Sequence, residues 1–195
     1  AISKTITLKL SPLPARKIMG VCHFPTFYKA MDAAQHLVTL DPVATSSRAT
    51  IGGMAANNSC GGRSIRYGIM RDNVLAIDAW LGDGSLASFG KLHPDQAMPQ
   101  GRFGDILPDL LALGGDNQAE ISEKFPKVLR RVGGYNIDAL MPDAMALRPD
   151  GKAGDGINLA HLLVGSEGTL AISKTITLKL SPLPARKIMG VCHFP

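Results

Sequence analysis

Gly52, Gly53, Gly61 and Gly62 bracket Asn57, Asn58 and Ser59 in a stretch, Thr50–Gly62, that carries almost no bulky side chain. Glycine lets a backbone come close to a ligand and reach positive φ, while Asn and Ser offer hydrogen bonds to phosphate or heterocycle oxygens. A cofactor-cradling loop needs this composition, and an ordinary tight loop shares it. The spacing is neither GxGxxG nor GxxxxGK[ST], so the two common phosphate-binding loops are disfavoured. Gly165-Ser-Glu-Gly-Thr-Leu170 is a second small-residue turn, set directly before a strand pattern. Glu167 there can accept hydrogen bonds from a ribose or can be a plain exposed turn carboxylate. Ser166 lacks the GxSxG setting of a nucleophile.

Other reactive residue types are scattered. Arg63, Arg66 and Tyr67 follow the first loop and can bind an anion, or can be solvated side chains on a surface strand. His23, His36, His93 and His161 show no ligand spacing such as HExxH, so no metal centre is expected. Cys60 lies among small polar residues without an evident His partner, which makes a nucleophilic role a weak reading.

The elements that must position these residues follow from periodicity. Ile2, Thr5, Ile6, Thr7, Leu8 and Leu10 make a β-branched run that stops at Ser11-Pro-Leu-Pro14, and the same run recurs at 172–180. Lys17–Phe24 is a further strand candidate. Pro25-Thr26 opens a helix to about Leu40, with Phe27, Met31, Ala34, Leu37 and Val38 on one face. Residues 45–68 favour neither helix nor strand. Asn73–Leu81 and Leu86–Phe89 read as strands joined by a hairpin at Gly82-Asp-Gly84. Residues 91–104 read as an irregular loop, Ile106–Leu113 and Asn117–Phe125 as helices, 133–156 as a long loop broken by Pro142 and Pro149, and Leu159–Leu163 as a short helix. Strands, hairpins and peripheral helices without βαβ alternation make an α+β chain.

Residues 171–195 repeat residues 1–25 letter for letter. Natural long-period repeats diverge except at core and turn positions, so this identity points to a recent duplication or a rearranged reading frame. Gly165–Leu170 runs smoothly into Ala171, whereas Ala1 begins in mid-strand, so residues 1–45 are expected to lie downstream of residue 170 in the natural order. A scar is expected near Asp41–Ser47. The chain thus divides into 1–45, 46–170 and 171–195. The second copy carries Lys174, Lys179, Arg186 and Lys187 and no carboxylate, so it supplies four of the five units of net charge +5. Near-neutral charge without it, and 5% aromatic residues, argue against a nucleic-acid surface. Apolar runs such as Leu159–Val164 are far shorter than a membrane span, and the start lacks a leader's apolar region, so a soluble, cytoplasmic chain without a membrane span is expected. Cys192 copies Cys22, leaving no disulfide framework.

Taken together, Arg48-Ala-Thr-Ile-Gly-Gly-Met-Ala-Ala-Asn-Asn-Ser-Cys-Gly61, Ser64-Ile-Arg-Tyr-Gly68, Asn73-Val74, Gly82-Asp-Gly84, Gly133-Gly-Tyr-Asn136 and Gly165–Leu170 occur in the order seen in one family. The chain resembles the FAD-linked oxidases of the vanillyl-alcohol oxidase, or PCMH, type, in the branch of D-lactate dehydrogenases and glycolate oxidase flavin subunits. The likeness extends to large bacterial proteins that fuse this flavin module to an iron–sulfur module. It covers residues 46–195 continuously and 1–45 separately. It implies that 46–170 form part of the second FAD-binding subdomain, a largely antiparallel mixed sheet with flanking helices, and that 171–195 open the α+β cap.

By the same resemblance the Thr50–Gly62 loop lies against flavin and pyrophosphate, and the Gly165–Ile172 turn near ribose and adenine. The implied FAD-binding positions are Gly52, Gly53, Asn57, Ser59, Gly165, Glu167, Gly168 and Ile172, with Ser64 and Tyr67 as weaker candidates. The implied activity is oxidation of a D-2-hydroxy acid of the D-lactate, glycolate or D-2-hydroxyglutarate type by hydride transfer to flavin, with electrons passing to an external acceptor. The family's Pro-Arg-Gly-Gly-Gly-Thr type loop, its His-x-Gly-Asp-Gly-Asn-x-His type cap motif and the cysteine clusters of an iron–sulfur module have no match in these 195 residues. No catalytic residue can therefore be named. The alternative is a non-catalytic rearranged fragment with no bound cofactor, at most a self-associating α+β domain, in which two copies of one strand compete for a single place.

Overall fold

The computed structural model describes residues 5–9, 36–37, 50–62, 64–92, 98–128, 130–141, 156–179 and 181–182, of which 5–9, 36–37 and 181–182 are described as backbone only. The expected strand at Lys17–Phe24, the expected scar at Asp41–Ser47, Arg63, His23 and His93 lie outside these residues, as does most of the expected helix from Thr26.

The described chain is α+β. One sheet has the order β1(Thr5–Lys9), β5(Ile172–Lys179), β3(Val74–Trp80), β4(Leu86–Phe89), with every neighbouring pair antiparallel. β3 is central because Val74, Ile77 and Ala79 carry its buried face. The step from Val74 to Ile77 is three residues, which strict alternation forbids. A register irregularity against β5 between Val74 and Ala76 re-aims the strand and makes that spacing possible. The hairpin at Gly82-Asp-Gly84 forms as read: Leu81 N donates to Ser85 O, Gly84 takes φ 82°, and Asp83 Oδ1 accepts from Ser85 N.

Helices cover one side of this sheet. They are α1(Ile51–Ala56), α2(Ser64–Tyr67), α3(Met70–Asn73), α4(Arg102–Asp116), α5(Gln118–Lys124) and α6(Ala160–Leu163), with a 3-10 turn at Ile137–Leu140. The core joins Ile51, Met54, Met70, Ile77, Phe89, Phe103, Leu107, Leu140 and Leu178.

Four readings are corrected. Residues 45–68 are not free of regular structure: α1 and α2 lie within them, because Ile51, Met54 and Ala55 fall on one buried helical face in spite of the glycines. Arg66 consequently sits on a short helix and not on a strand. α4 begins at Arg102, four residues before Ile106, with Pro108 inside it. Burying Phe103 against Phe89, at 4.5 Å between ring centroids, extends the helix upstream into the end of the stretch read as loop. His36 and Leu37, expected on a helix, form a two-residue strand β2 paired with β6(Ser181–Pro182), so long-range pairing overrides helical spacing there. Finally, the two copies of the repeated strand do not compete for one place. β5 uses one edge for β3 and the other for β1, in the register Thr7↔Thr177.

Candidate functional site

Helix α1 starts at a capped threonine. Thr50 is extended, and its Oγ1 accepts from Gly53 N at 3.0 Å. Gly53 permits this: a Cβ there would stand 2.8 Å from that Oγ1, whereas a Cβ on Gly52 would meet nothing within 4 Å. Thr50→Ala is expected to lose about 1 kcal/mol of stability, read as a shift in the denaturation midpoint with an unchanged slope.

The exit of α1 is sharper than its entrance. Asn57 is exposed, and Asn58 is fully buried with φ 48°, a left-handed conformation that Asn tolerates better than most residues. Ser59 N then returns to Met54 O, and Met70 N donates to Ser59 O, tying the loop to α3.

The second turn is left-handed at three of its residues, Gly165 at φ 86°, Glu167 at 54° and Gly168 at 79°. Ser166 Oγ donates to Leu163 O at 2.8 Å, and Thr169 Oγ1 lies 2.8 Å from Tyr135 Oη. Asn158 opens the preceding helix: its Oδ1 accepts from Ala160 N, while its Nδ2 donates to Leu75 O.

The structure brings the two turns together. Gly165 N donates to Ala55 O and Glu167 N to Ala56 O, both at 3.0 Å, so the last turn of α1 and the Gly165–Leu170 turn are joined along their backbones. Gly52, Gly53, Asn57, Glu167 and Gly168 are exposed, and Gly165 is buried in the junction. Ser59 is half-buried. Ser64 is buried, with Oγ accepting from Gly61 N at 3.0 Å, so its hydroxyl serves the loop's own shape. Tyr67 is half-buried beside the Arg66 guanidinium, 5.2 Å from the ring centroid. Ile172 is 61% exposed and opposite Trp80 at the start of β5.

Sequence reasoning missed the polar residues beneath the junction. Asp138, on the 3-10 turn, is buried and accepts from Arg71 Nη1 at 2.8 Å and from Arg131 Nη2, both on Oδ2. Arg71 Nη1 also donates to Asn136 Oδ1. The visible signals were the motif Gly133–Asn136 and the second Asn of the Asn57-Asn58 pair, but charge pairing across more than sixty residues leaves no local pattern.

His161, on α6, places Nε2 3.2 Å from Val74 O. Removal of its ring from water, reinforced by the nearby Arg71 charge, pushes its pKa down from 6.5 to about 4. The unfolded chain then binds the extra proton between those values, so this contribution to stability is complete above the ordinary value and lost as pH falls through 6.5 towards 4. A melting temperature that declines over this interval, with a shallower decline in His161→Gln, is the expected result.

Among the described residues no group of His, Cys, Asp and Glu could hold a metal ion, and no helix is long and apolar enough to cross a membrane.

Comparison with known proteins places this geometry in a family context. Residues 21–90 match the model of an FAD binding domain, so α1 and its exit lie inside the match and the Gly165 turn beyond it. The chain is 31% identical over 157 residues to a D-2-hydroxyglutarate dehydrogenase of Pantoea ananatis, covering 76% of this chain and 14% of that protein. It is 30% identical over 154 residues to the D-2-hydroxyglutarate dehydrogenase of Escherichia coli, with the same two coverages. With a D-lactate dehydrogenase of Archaeoglobus fulgidus the identity is 28% over 166 residues, covering 84% of this chain and 25% of that protein. The chain thus spans a seventh to a quarter of the length of these relatives.

Proposed function

On the premise that the chain belongs, as a partial member, to the FAD-linked oxidase family, we propose that its two joined glycine turns form one wall of an FAD site. The parent enzyme would oxidise a D-2-hydroxy acid to the 2-oxo acid. FAD is the cofactor of this family, and the observation that carries the reading is the backbone pairing of Ala55 and Ala56 with Gly165 and Glu167.

The residues at the junction suit such a group. Gly52 and Gly168 have open space where a side chain would project, so a flat or extended ligand can approach the backbone there. Asn57 and Ser59 offer polar groups on the first turn. Glu167 offers a carboxylate acceptor suited to a ribose hydroxyl. Gly53 keeps α1 capped, and Gly165 keeps the turns in contact. Ile172 presents an apolar edge beside the second turn, while Ser64 and Tyr67 support the loop from behind. Bound flavin supplies the electron-accepting chemistry, and these residues would bind, orient and shield it. The substrate class is D-lactate, glycolate or D-2-hydroxyglutarate, and electrons leave to an external acceptor. We place the protein in the cytoplasm.

A second reading rests on the β1–β5 pair. Because identical segments pair antiparallel in that ladder, a second copy can supply either strand, and the chain would then be a self-associating, non-catalytic fragment. Incubating the purified chain with FAD, removing the unbound fraction and recording the visible spectrum tests the first reading. Retained oxidised-flavin absorbance is expected, and a colourless protein would overturn it. Anaerobic bleaching by D- but not L-2-hydroxy acids would assign the substrate class. A colourless chain that elutes as a dimer would favour the fragment.

A further inference from the structure

We propose that Asp138 is a positioning residue for the cofactor wall, holding both glycine turns in one arrangement through Arg71, Arg131, Asn58 and Asn136. The inference rests on the FAD reading above and deepens it.

The connections run from one carboxylate to both turns. Asp138 Oδ2 receives Arg71 Nη1 at 2.8 Å and Arg131 Nη2 as well. Arg71 fixes the first turn, because its backbone N–H donates to Asn58 Oδ1 at 3.0 Å. Arg131 reaches the same asparagine from the other side, its carbonyl accepting from Asn58 Nδ2 at 3.5 Å. Asn58 is thereby held between Asn57 and Ser59, two residues assigned to the cofactor.

The second turn is fixed through Asn136. Its Oδ1 accepts from Arg71 Nη1 at 3.2 Å, and its Nδ2 donates to Val164 O at 2.7 Å and His161 O at 3.2 Å, immediately before Gly165. A Cβ on Gly165 would lie 3.3 Å from Asn58 Cβ and 3.6 Å from Asn136 Nδ2, so both asparagines pack close to that glycine.

Charge decides which member controls the network. Asp138 is 5% exposed and is the only carboxylate among the described residues bridging two guanidiniums, whose side chains are themselves 14% and 13% exposed. Its Oδ1 is buried without a hydrogen-bond partner among the described residues. The arginines are therefore what orients the carboxylate, and the carboxylate is what keeps the two like charges close together. A buried polar network of this kind acts as a unit, and removal of its charge loosens every member. Groups that do not touch a ligand but orient those that do commonly set its affinity.

Asp138→Asn tests the assignment with two readouts. The first is FAD affinity by fluorescence titration at a temperature where wild type and variant are both folded, and a loss of at least tenfold is expected. The second is amide hydrogen exchange without FAD. Faster exchange is expected at residues 57–59 and 165–169, with the amides of β3 and β5 unchanged. Wild-type affinity in the folded variant, or faster exchange spread evenly through β3 and β5, would overturn the proposal. If wild type itself fails to bind FAD, the functional reading fails while the exchange comparison still decides the positioning role. Should Asp138→Asn fail to fold, Arg71→Met carries the same test, since its side chain can donate to neither Asn136 nor Asp138.

Discussion

Gly165→Val is expected to abolish the retention of FAD while leaving most of the fold in place. Gly165 has φ 86°, and its amide makes the 3.0 Å bond to Ala55 O that begins the junction. An L-residue pays about 1–2 kcal/mol to adopt this conformation, and β-branching adds to the strain. A Cβ would also stand 3.3 Å from both Asn58 Cβ and Gly134 O, so the turn or these neighbours must give by a few tenths of an ångström. Since about 1.4 kcal/mol is a tenfold change in affinity, FAD should bind at least roughly tenfold more weakly. The check is a titration of both proteins alongside their far-ultraviolet circular dichroism. Unchanged affinity would show that Gly165 does not set the cofactor surface.

Gly114→Ala is expected to be among the most destabilising single methyl additions in the described helices, together with Gly104→Ala, where a Cβ would stand 1.9 Å from Pro99 O. Gly114 lies on the buried face of α4 and packs directly on the 3-10 turn that carries Asp138. A Cβ there would stand 2.3 Å from Leu140 O, 2.5 Å from Leu140 C and 2.6 Å from Leu140 Cβ. Backbone cannot rotate away as a flexible side chain does, so α4 and the turn must separate by about 1 Å in a core packed to near-crystalline density. Overpacking of this kind costs about 3 kcal/mol at the upper end of its usual range, or roughly 6–12 °C in melting temperature for a chain of this size. The neighbouring Gly115 meets nothing within 4 Å, so Gly115→Ala should instead stabilise by up to about 1 kcal/mol through helix propensity. Opposite signs at adjacent glycines are the expected pattern in thermal melts, and equal effects would contradict the packing of α4 on the turn.

How much of this was legible in the sequence depended on how local the cause was. The β3–β4 hairpin was readable because apolar runs flanked an unambiguous Gly-Asp-Gly turn. Helices α5 and α6 were readable to within a residue or two at their ends. The α+β class followed from the absence of βαβ alternation. Helix α1 was hidden because Gly52 and Gly53 argue against helix, while its cause, burial of Ile51, Met54 and Ala55, lies in what they pack against. The start of α4 was hidden for a similar reason, the contact of Phe103 with Phe89 from another part of the chain.

The candidate site divides the same way. Small residues at Gly52, Asn57, Gly165 and Gly168 mark two candidate turns, and the family resemblance ranks them above ordinary loops. That Ala55 and Ala56 would accept from Gly165 and Glu167 was not readable, because backbone pairing between distant turns has no side-chain signature. Asn57 drew notice ahead of Asn58, yet Asn58 is the residue bound into the Asp138 network. Composition identifies both as polar, and only burial separates them.

The proposed FAD wall requires that the α1 exit and the Gly165–Leu170 turn face one FAD molecule together. Amide hydrogen exchange of the 195-residue chain, with and without saturating FAD, tests it most directly. FAD is expected to slow exchange at residues 52–59 and at 165–169 in the same titration, with one common midpoint. Protection at only one of the two turns, or at neither, would contradict it.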